Sequence, residues 1–256
     1  MITIGCDIGS LFTKAVMMNN DNLVAYKITR TTGNLGQEID DFLSALSQTA
    51  GIDRKKVDCL AGTGIGAELI KSADFQEDII TCLASASAFY LPEVELTIDI
   101  GGQSITSILL SQEGEVENFM RNDKCASGSG RFLEMMSDKL NLQLSQLNEI
   151  ITRANKPVEL SAQCGVFAES EVISYVNQGE EVSNIIAGVC ATVANMVVAQ
   201  ARRFGNVNYW TLTGGVALIE PLVKNISKKL SAKFIPFPHH PQLAGAIGAA
   251  LLAGSE

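Results

Sequence analysis

The chain repeats one short motif, and this repeat constrains the fold more than any other feature. Residues 1–19, MITIGCDIGSLFTKAVMMN, and 94–111, VELTIDIGGQSITSILLS, each read as an apolar strand, an Asp, an Ile-Gly turn and a second strand. Two copies of one supersecondary unit predict a duplicated fold with a lobe built on each copy. We place the first lobe at 1–93, with a C-terminal helix of about 243–256 packing back on it, and the second lobe at 94–242.

Strands alternate with helices through the whole chain, so the predicted class is α/β. The run Asn19-Asn20-Asp21-Asn22 is a hairpin signal between two strands, and residues 36–50 have helical apolar spacing. The longest apolar stretch, 185–201, contains Asn195 and is shorter than the ~20 residues of a membrane span. We interpret it as a buried core helix.

Composition narrows the class of function. Hydrophobic residues make up 46% of the 256 residues, which is enough for a large core. The net charge of −9 argues against nucleic-acid binding. The first residues lack the shape of a signal peptide, so we expect a soluble, cytoplasmic protein that is not bound to a membrane.

The two Asp-x-Gly turns have the chemistry of phosphate sites. Glycine lets backbone N–H groups approach an anion closely, and an Asp at a strand tip can hold a hard cation through water. Ser10, Thr13 and Lys14 add hydroxyl groups and a cation after the first turn. A third glycine turn, LTGGVAL at 212–218, follows another strand. Two matched turns are stronger evidence than one, because single glycine turns are common.

This three-part pattern resembles the superfamily of actin, sugar kinases and Hsp70. The resemblance implies a ribonuclease H-like, actin-like ATPase fold in which two turns hold the phosphates of ATP or ADP with Mg²⁺. It implies that Asp7, Asp99 and Gln103 are catalytic and that Gly214 and Gly215 border the adenosine. The phosphate contacts that it implies are Gly9, Ser10, Thr13, Lys14, Gly101, Gly102 and Gln103.

Six cysteines are present, and no two form a CxxC pair. Cys6 and Cys190 lie in apolar segments, and Cys59 begins a predicted strand after the polar stretch DRKKVD; all three are expected to be buried. Cys125 comes just before a predicted helix that Ser127 or Ser129 caps, and the flexible backbone after it makes Gly128 and Gly130 candidate cofactor contacts.

Cys164 repeats this arrangement at the start of a second helix. The apolar stripe predicted for that helix contains Val166 or Phe167, Val172, Ile173 and Val176. A helix start lowers the pKa of a thiol, so each cysteine is a candidate nucleophile or metal ligand. Two thiolates do not complete a four-cysteine site, but a two-fold dimer supplies four. Tetrahedral zinc and a [4Fe–4S] cluster both fit that count.

The blocks NDKCASGSGRFLE and CGVFAESEVIS resemble the ATP-dependent activators of 2-hydroxyacyl-CoA dehydratases and the related ATPase subunits of benzoyl-CoA reductases. The match runs from DIGS through DIGGQ and TGGVA to GAIGAALLAG. It implies a homodimer with one [4Fe–4S] cluster on Cys125 and Cys164 of both chains. It also implies ATP-coupled transfer of one low-potential electron to a client iron–sulfur enzyme, with reduced ferredoxin or flavodoxin as the donor.

Three positions depart from that family pattern. Ser104 stands where the family usually has Asp, Leu83 where it often has His, and Gly64-Ile65-Gly66-Ala67 replaces an aromatic-glycine-arginine turn. These differences leave other functions open. The alternatives are an ATP-dependent reductase of another client such as a double-cubane cluster protein, a small-molecule kinase of the actin-like superfamily, and a nucleotide-binding redox sensor.

Overall fold

The computed structural model describes residues 1–122, 127–161 and 164–255, apart from the side chain of Gln37. The chain forms two compact units. The first comprises Met1–Thr97, Ile108–Phe119 and Ile235–Glu256, and the second comprises Ile98–Ser107 and Met120–Phe234. The lobe limits that the repeat suggests, after residues 93 and 242, stay a prediction.

The first sheet has five strands in the order β3-β2-β1-β4-β5. A hairpin of β1 and β2 opens the chain, β3 continues the antiparallel arrangement, and β4 pairs with β1 in parallel. The Asn20-Asp21 turn between β2 and β3, with Asn20 at φ 48°, confirms the predicted hairpin. The strands are β1 (Ile2–Ile8), β2 (Phe12–Asn19), β3 (Asn22–Arg30), β4 (Cys59–Thr63) and β5 (Phe75–Gln76).

Three helices cover this sheet: α1 (Leu35–Ala50), α2 (Ile79–Tyr90) and α8 (Ala244–Ala253). The C-terminal helix α8 packs directly on β1 and α2. A side chain on Gly248 would collide with the carbonyl group of Cys82 in α2, and one on Gly5 would collide with that of Ala246. These two glycines therefore allow the helix, its neighbour and the central strand to approach at backbone distance.

The second sheet repeats the first. Its order, β8-β7-β6-β9-β10, is that of the first sheet with β6 in the place of β1. This repetition confirms the duplicated, actin-like α/β fold that the two motifs predict. The strands are β6 (Leu96–Ile100), β7 (Ile105–Leu110), β8 (Val116–Asn122), β9 (Tyr209–Thr213) and β10 (Lys233–Phe234).

The remaining helices are α3 (Gly130–Lys139), α4 (Leu147–Thr152), α5 (Gly165–Asn177), α6 (Val182–Ala201) and α7 (Glu220–Leu230). Among the described residues, only the segment Val182–Phe204 is long and apolar enough to cross a membrane by length and composition. Of the most apolar 18-residue stretch in this segment, 61% is buried inside the structure. The Gln200 amide also donates to the carbonyl groups of Ile105 and Met120. The prediction of a core helix is therefore confirmed.

Candidate functional site

The first Asp-x-Gly turn closes the hairpin of β1 and β2. The N–H of Gly9 donates to the carbonyl of Phe12 at 3.0 Å. Asp7 and Lys14 are cross-strand partners on one face of this hairpin, and Lys14 Nζ lies 2.7 Å from Asp7 Oδ2. Both side chains are only 10% exposed. The first turn thus carries a buried ion pair whose lysine also donates to the Phe12 carbonyl at 3.1 Å.

Thr13 points to the opposite face of the hairpin, because successive strand residues alternate sides. Its hydroxyl lies 3.0 Å from the hydroxyl of Thr31, which donates to the carbonyl of Gly9 at 2.8 Å. Ser10 lies half-buried in the turn itself. The structure therefore brings Asp7 and Lys14 together on one face of the hairpin. On the other face, Thr13 contacts Thr31, which stabilises the turn at Gly9.

The second Asp-x-Gly turn has the same backbone geometry. The N–H of Gly101 donates to the carbonyl of Ser104 at 2.9 Å, as Gly9 does to Phe12. Asp99 is half-buried, and its Oδ1 accepts a hydrogen bond from the Thr213 hydroxyl at 2.9 Å. Gln103 is exposed at the tip of the turn. The second carboxylate is held by a hydroxyl group, whereas the first is held by an ammonium group.

The strand next to each of these turns ends in a threonine that a glycine follows. Gly64 follows β4 at φ 87°, and Gly214 follows β9 at φ 83°. A Cβ atom on Gly64 would lie 2.6 Å from the carbonyl oxygen of Ile8, and one on Gly214 would lie 2.7 Å from the carbonyl carbon of Ile100. Sequence reasoning missed Thr213 and this second repeat, although both strands end in Thr-Gly.

Helix α3 begins on the second turn. The N–H groups of Gly130 and Arg131 donate to the carbonyl groups of Gly101 and Gly102, both at 2.9 Å. A Cβ atom on Gly130 would lie 3.1 Å from the Gly101 oxygen and 3.7 Å from Val216, which follows Gly215. The start of α3 therefore lies against both glycine turns of the second unit.

Gly128 has a packing role in the same place. It adopts φ 86°, and a Cβ atom there would lie 2.9 Å from Ile105 and 3.1 Å from the sulfur of Met196. Glycine permits this close turn into α3. Ser129, one of the two predicted caps, is the residue at the N-cap position.

The start of α5 lies beside the start of α3. Cys164 is the N-cap residue of α5, and it is exposed. A Cβ atom on Gly165, the next residue, would lie 3.4 Å from the Ser127 hydroxyl and 3.5 Å from the Phe132 ring. Two helix N-termini, each with a partial positive charge, therefore meet next to one exposed thiol. Cys125, the second predicted ligand, lies outside the described residues.

The remaining described cysteines are buried. Burial raises the pKa of Cys6, Cys82 and Cys190 to about 12, which keeps them as neutral thiols. Cys59 is buried at the start of β4. The predicted burial of Cys6, Cys59 and Cys190 is confirmed, and Cys164 is the one exposed cysteine among those described.

The apolar stripe predicted for α5 is wrong in its main feature. Val172 is buried, but Val166 and Phe167 are each 68% exposed, and Ile173 and Val176 are also exposed. The helix packs inward through Ala168 and Val172, which leaves the other apolar side chains on its outer surface. Apolar spacing alone does not distinguish a side chain in the core from one at a surface for a partner.

Among the residues that the structure describes, no three or more His, Cys, Asp and Glu side chains are grouped to hold a metal ion. A metal shared by two chains needs only two ligands from each, so such a site does not require a group of three within one chain.

Comparisons with known proteins match this geometry along nearly the whole chain. The model of the BadF/BadG/BcrA/BcrD ATPase family matches residues 4–253. A 2-hydroxyisocaproyl-CoA dehydratase activator of Clostridioides difficile is 36% identical, with 100% of this chain and 96% of that protein covered. A benzoyl-CoA reductase subunit of Thauera aromatica is 30% identical, with 98% and 92% covered.

A solved structure gives the same relation in three dimensions. It is the activator of the 2-hydroxyisocaproyl-CoA dehydratase from Clostridium difficile with bound ADPNP, with a TM-score of 0.94 and 35% identity, and the match covers 100% of this chain and 95% of that one. From the duplicated sheets, the paired glycine turns and these matches, we conclude that the chain belongs to the BadF/BadG/BcrA/BcrD ATPase family.

Proposed function

We propose that the protein is an ATP-hydrolysing activator that passes single low-potential electrons to a partner iron–sulfur enzyme. Two relatives support this assignment, because one is named as a dehydratase activator and the other as a component of benzoyl-CoA reductase. The electron comes from reduced ferredoxin or flavodoxin and goes to the client, while ATP and water become ADP and phosphate. The protein works in the cytoplasm.

We assign nucleotide binding to the two Asp-x-Gly turns, because a structure of a relative contains the ATP analogue ADPNP. Asp7 and Asp99 would hold Mg²⁺, which would neutralise phosphate charge, and Gln103 would orient the attacking water. Lys14 is already paired with Asp7, so it neutralises charge next to the phosphates without leaving its partner. Thr13 lies on the opposite face of the hairpin and supports the first turn instead of contacting the nucleotide. The remaining proposed contacts are Gly9, Ser10, Gly101, Gly102, Gly128, Gly130, Gly214 and Gly215.

We assign a [4Fe–4S] cluster to Cys164 and Cys125 of two chains in a homodimer. When bound, the cluster supplies one-electron redox chemistry. The exposed thiol at the start of α5 fits this role, because iron–sulfur groups are held by cysteine sulfur and this sulfur is accessible to a second chain. The buried thiols with raised pKa values do not fit.

One structural observation supports the proposed coupling between nucleotide hydrolysis and electron transfer. Backbone hydrogen bonds join the second turn to the start of α3, and that start packs on the first residue of α5, next to Cys164. A change of the turn on nucleotide binding or hydrolysis is therefore transmitted to the helix that holds the ligand. Coupling of this kind needs two global states that the nucleotide populates differently.

Iron binding tests the ligand assignment. Anaerobically reconstituted protein should be brown, with about four irons for each pair of chains. Cys164→Ala and Cys125→Ala should each lose colour and bound iron, whereas Cys190→Ala, which removes a buried thiol in α6, should keep both. Full iron content in Cys164→Ala, or an iron-free wild-type protein, would contradict the assignment.

Electron delivery tests the function itself. Reduced protein with ATP should reduce a purified dehydratase or reductase component, and protein with ADP should not. Stopped-flow spectra of the client enzyme measure its reduction, and a phosphate-release assay measures ATP hydrolysis. Phosphate release without any reduction of such components would favour a redox sensor, and phosphorylation of a small molecule by the iron-free protein would favour a kinase.

A further inference from the structure

Ser127 has a buried hydroxyl group that the fold does not use. Ser127 is 3% exposed, and within the described ranges its hydroxyl oxygen has no hydrogen-bond partner. A buried hydroxyl without a partner destabilises a fold, because the group loses its hydrogen bonds to water. Other buried groups among the described residues, Ser137 included, share this state, so the position of Ser127 must show whether a ligand supplies its partner.

The position of this hydroxyl indicates the kind of partner. Its oxygen lies 3.4 Å from the place of a Cβ atom on Gly165, the first residue of α5, and Cys164 is the residue before it. The ring of Phe132 closes the same space at 3.5 Å. The hydroxyl oxygen thus lies next to the first residue of a 13-residue helix whose N-cap residue is Cys164. Helix N–H groups and a hydroxyl donor together favour an anion.

We infer that Ser127 donates a hydrogen bond to anionic sulfur of the iron–sulfur group held at Cys164. This inference rests on the proposed function, and it adds a residue that tunes the group without ligating it. Reduction adds negative charge to the group, so a donor stabilises the reduced state more than the oxidised one. Ser127 therefore raises the reduction potential.

The test compares Ser127→Ala with Ser137→Ala in anaerobically reconstituted dimers. Ser137 is a matched control, because it is also buried, its hydroxyl has no partner among the described residues, and it lies toward the other end of α3. In a potentiometric titration followed by electron paramagnetic resonance, we expect Ser127→Ala to lower the equilibrium constant for one-electron reduction about tenfold, or about 59 mV. Ser137→Ala should match the wild type.

The iron-free proteins show whether Ser127 is merely structural. Without the iron–sulfur group, the hydroxyl lacks a partner, so the melting temperature of Ser127→Ala should equal or exceed that of the wild type. Loading with iron should then stabilise the wild type more than the variant. An equal loss of melting temperature in the iron-free and loaded forms would overturn the inference.

The outcomes separate this inference from the function on which it rests. A loaded wild type with an unchanged potential in Ser127→Ala overturns the role of Ser127 and leaves the proposed function standing. A wild-type protein that binds no iron overturns both. A lowered potential in Ser127→Ala alone supports both.

Discussion

At the scale of single residues, the two duplicated turns have diverged in how they hold their carboxylate. Asp7 has a lysine partner at 2.7 Å, and Asp99 has a threonine hydroxyl at 2.9 Å. An ammonium partner neutralises its carboxylate, whereas a hydroxyl partner orients the carboxylate and leaves its charge. The two acids should therefore respond differently to loss of these partners.

Thr213→Val should weaken the Mg²⁺ binding that we propose for the second turn. Valine keeps the shape of threonine but removes the donor to Asp99, and a hydrogen bond to a charged group is worth ~1.5–3 kcal/mol. We expect the Mg²⁺ concentration for half-maximal ATP hydrolysis to rise at least about tenfold, which corresponds to a loss of ~1.4 kcal/mol in the free energy of Mg²⁺ binding. The control Thr213→Ser keeps the hydroxyl and should stay near the wild type. Equal Mg²⁺ dependence in both variants would mean that Thr213 does not position Asp99.

Lys14→Met should destabilise the fold, because it leaves the Asp7 carboxylate buried without its cation. Breaking a buried pair by removing one partner typically costs ~3–5 kcal/mol. Lys224→Met is the matched control, since Lys224 pairs with Glu220 at 3.6 Å on an exposed helix surface, where pairs contribute ~0–1 kcal/mol. Urea unfolding measures both. Similar losses of unfolding free energy in the two variants would show that burial of the first pair does not matter.

At the scale of elements, the structure repeats more than the sequence reveals. The Asp-x-Gly hairpins can be recognised in the sequence itself, because this hairpin turn needs glycine at a fixed position. The Thr-Gly turns after β4 and β9 are harder to find, because the strands that they follow come from distant parts of the chain. Thr213 is recognised as a partner of Asp99 only when the sheet order places β9 beside β6.

Gly64→Ala tests whether the Thr-Gly turn of the first unit needs its close approach. Gly51 is the control, since it also has positive φ, at 67°, but has no atom within 4 Å of a Cβ position. Gly51→Ala should cost ~1–2 kcal/mol for its backbone conformation alone. Gly64→Ala should cost ~1–3 kcal/mol more, because its methyl group meets the backbone of Ile8. Thermal unfolding of both variants gives the difference, and equal losses would refute the crowding argument.

At the scale of the whole molecule, local patterns predict the architecture because the repeat and the strand–helix alternation agree with each other. The duplicated α/β fold, the first hairpin and the core helix α6 follow from such patterns. The outward direction of Phe167 on α5 does not, because apolar spacing is the same for a core and for a partner surface. The support that Thr31 gives to Thr13 also depends on strand pairing, which the spacing of residues does not contain.

Buried thiols should make the stability of the molecule fall at high pH. Burial raises the pKa of Cys6, Cys82 and Cys190 from 9.0 to about 12, so between these values the unfolded chain releases protons that the folded chain keeps. Stability is then present below pH 9 and lost as the pH rises, by up to ~1.4 kcal/mol per thiol and pH unit. Urea midpoints from about pH 8 to about pH 10 should fall less steeply in Cys190→Ala. Parallel curves would contradict this account.

The exposed side chains of Val166 and Phe167 lie in the first turn of α5, separated from Cys164 by Gly165. A macromolecule that covers these two apolar side chains would also exclude water from the nearby sulfur of Cys164. Because dehydration penalises negative charge, such a contact would disfavour the reduced, more negative state of the iron–sulfur group that we propose at Cys164, and the group would release its electron more readily.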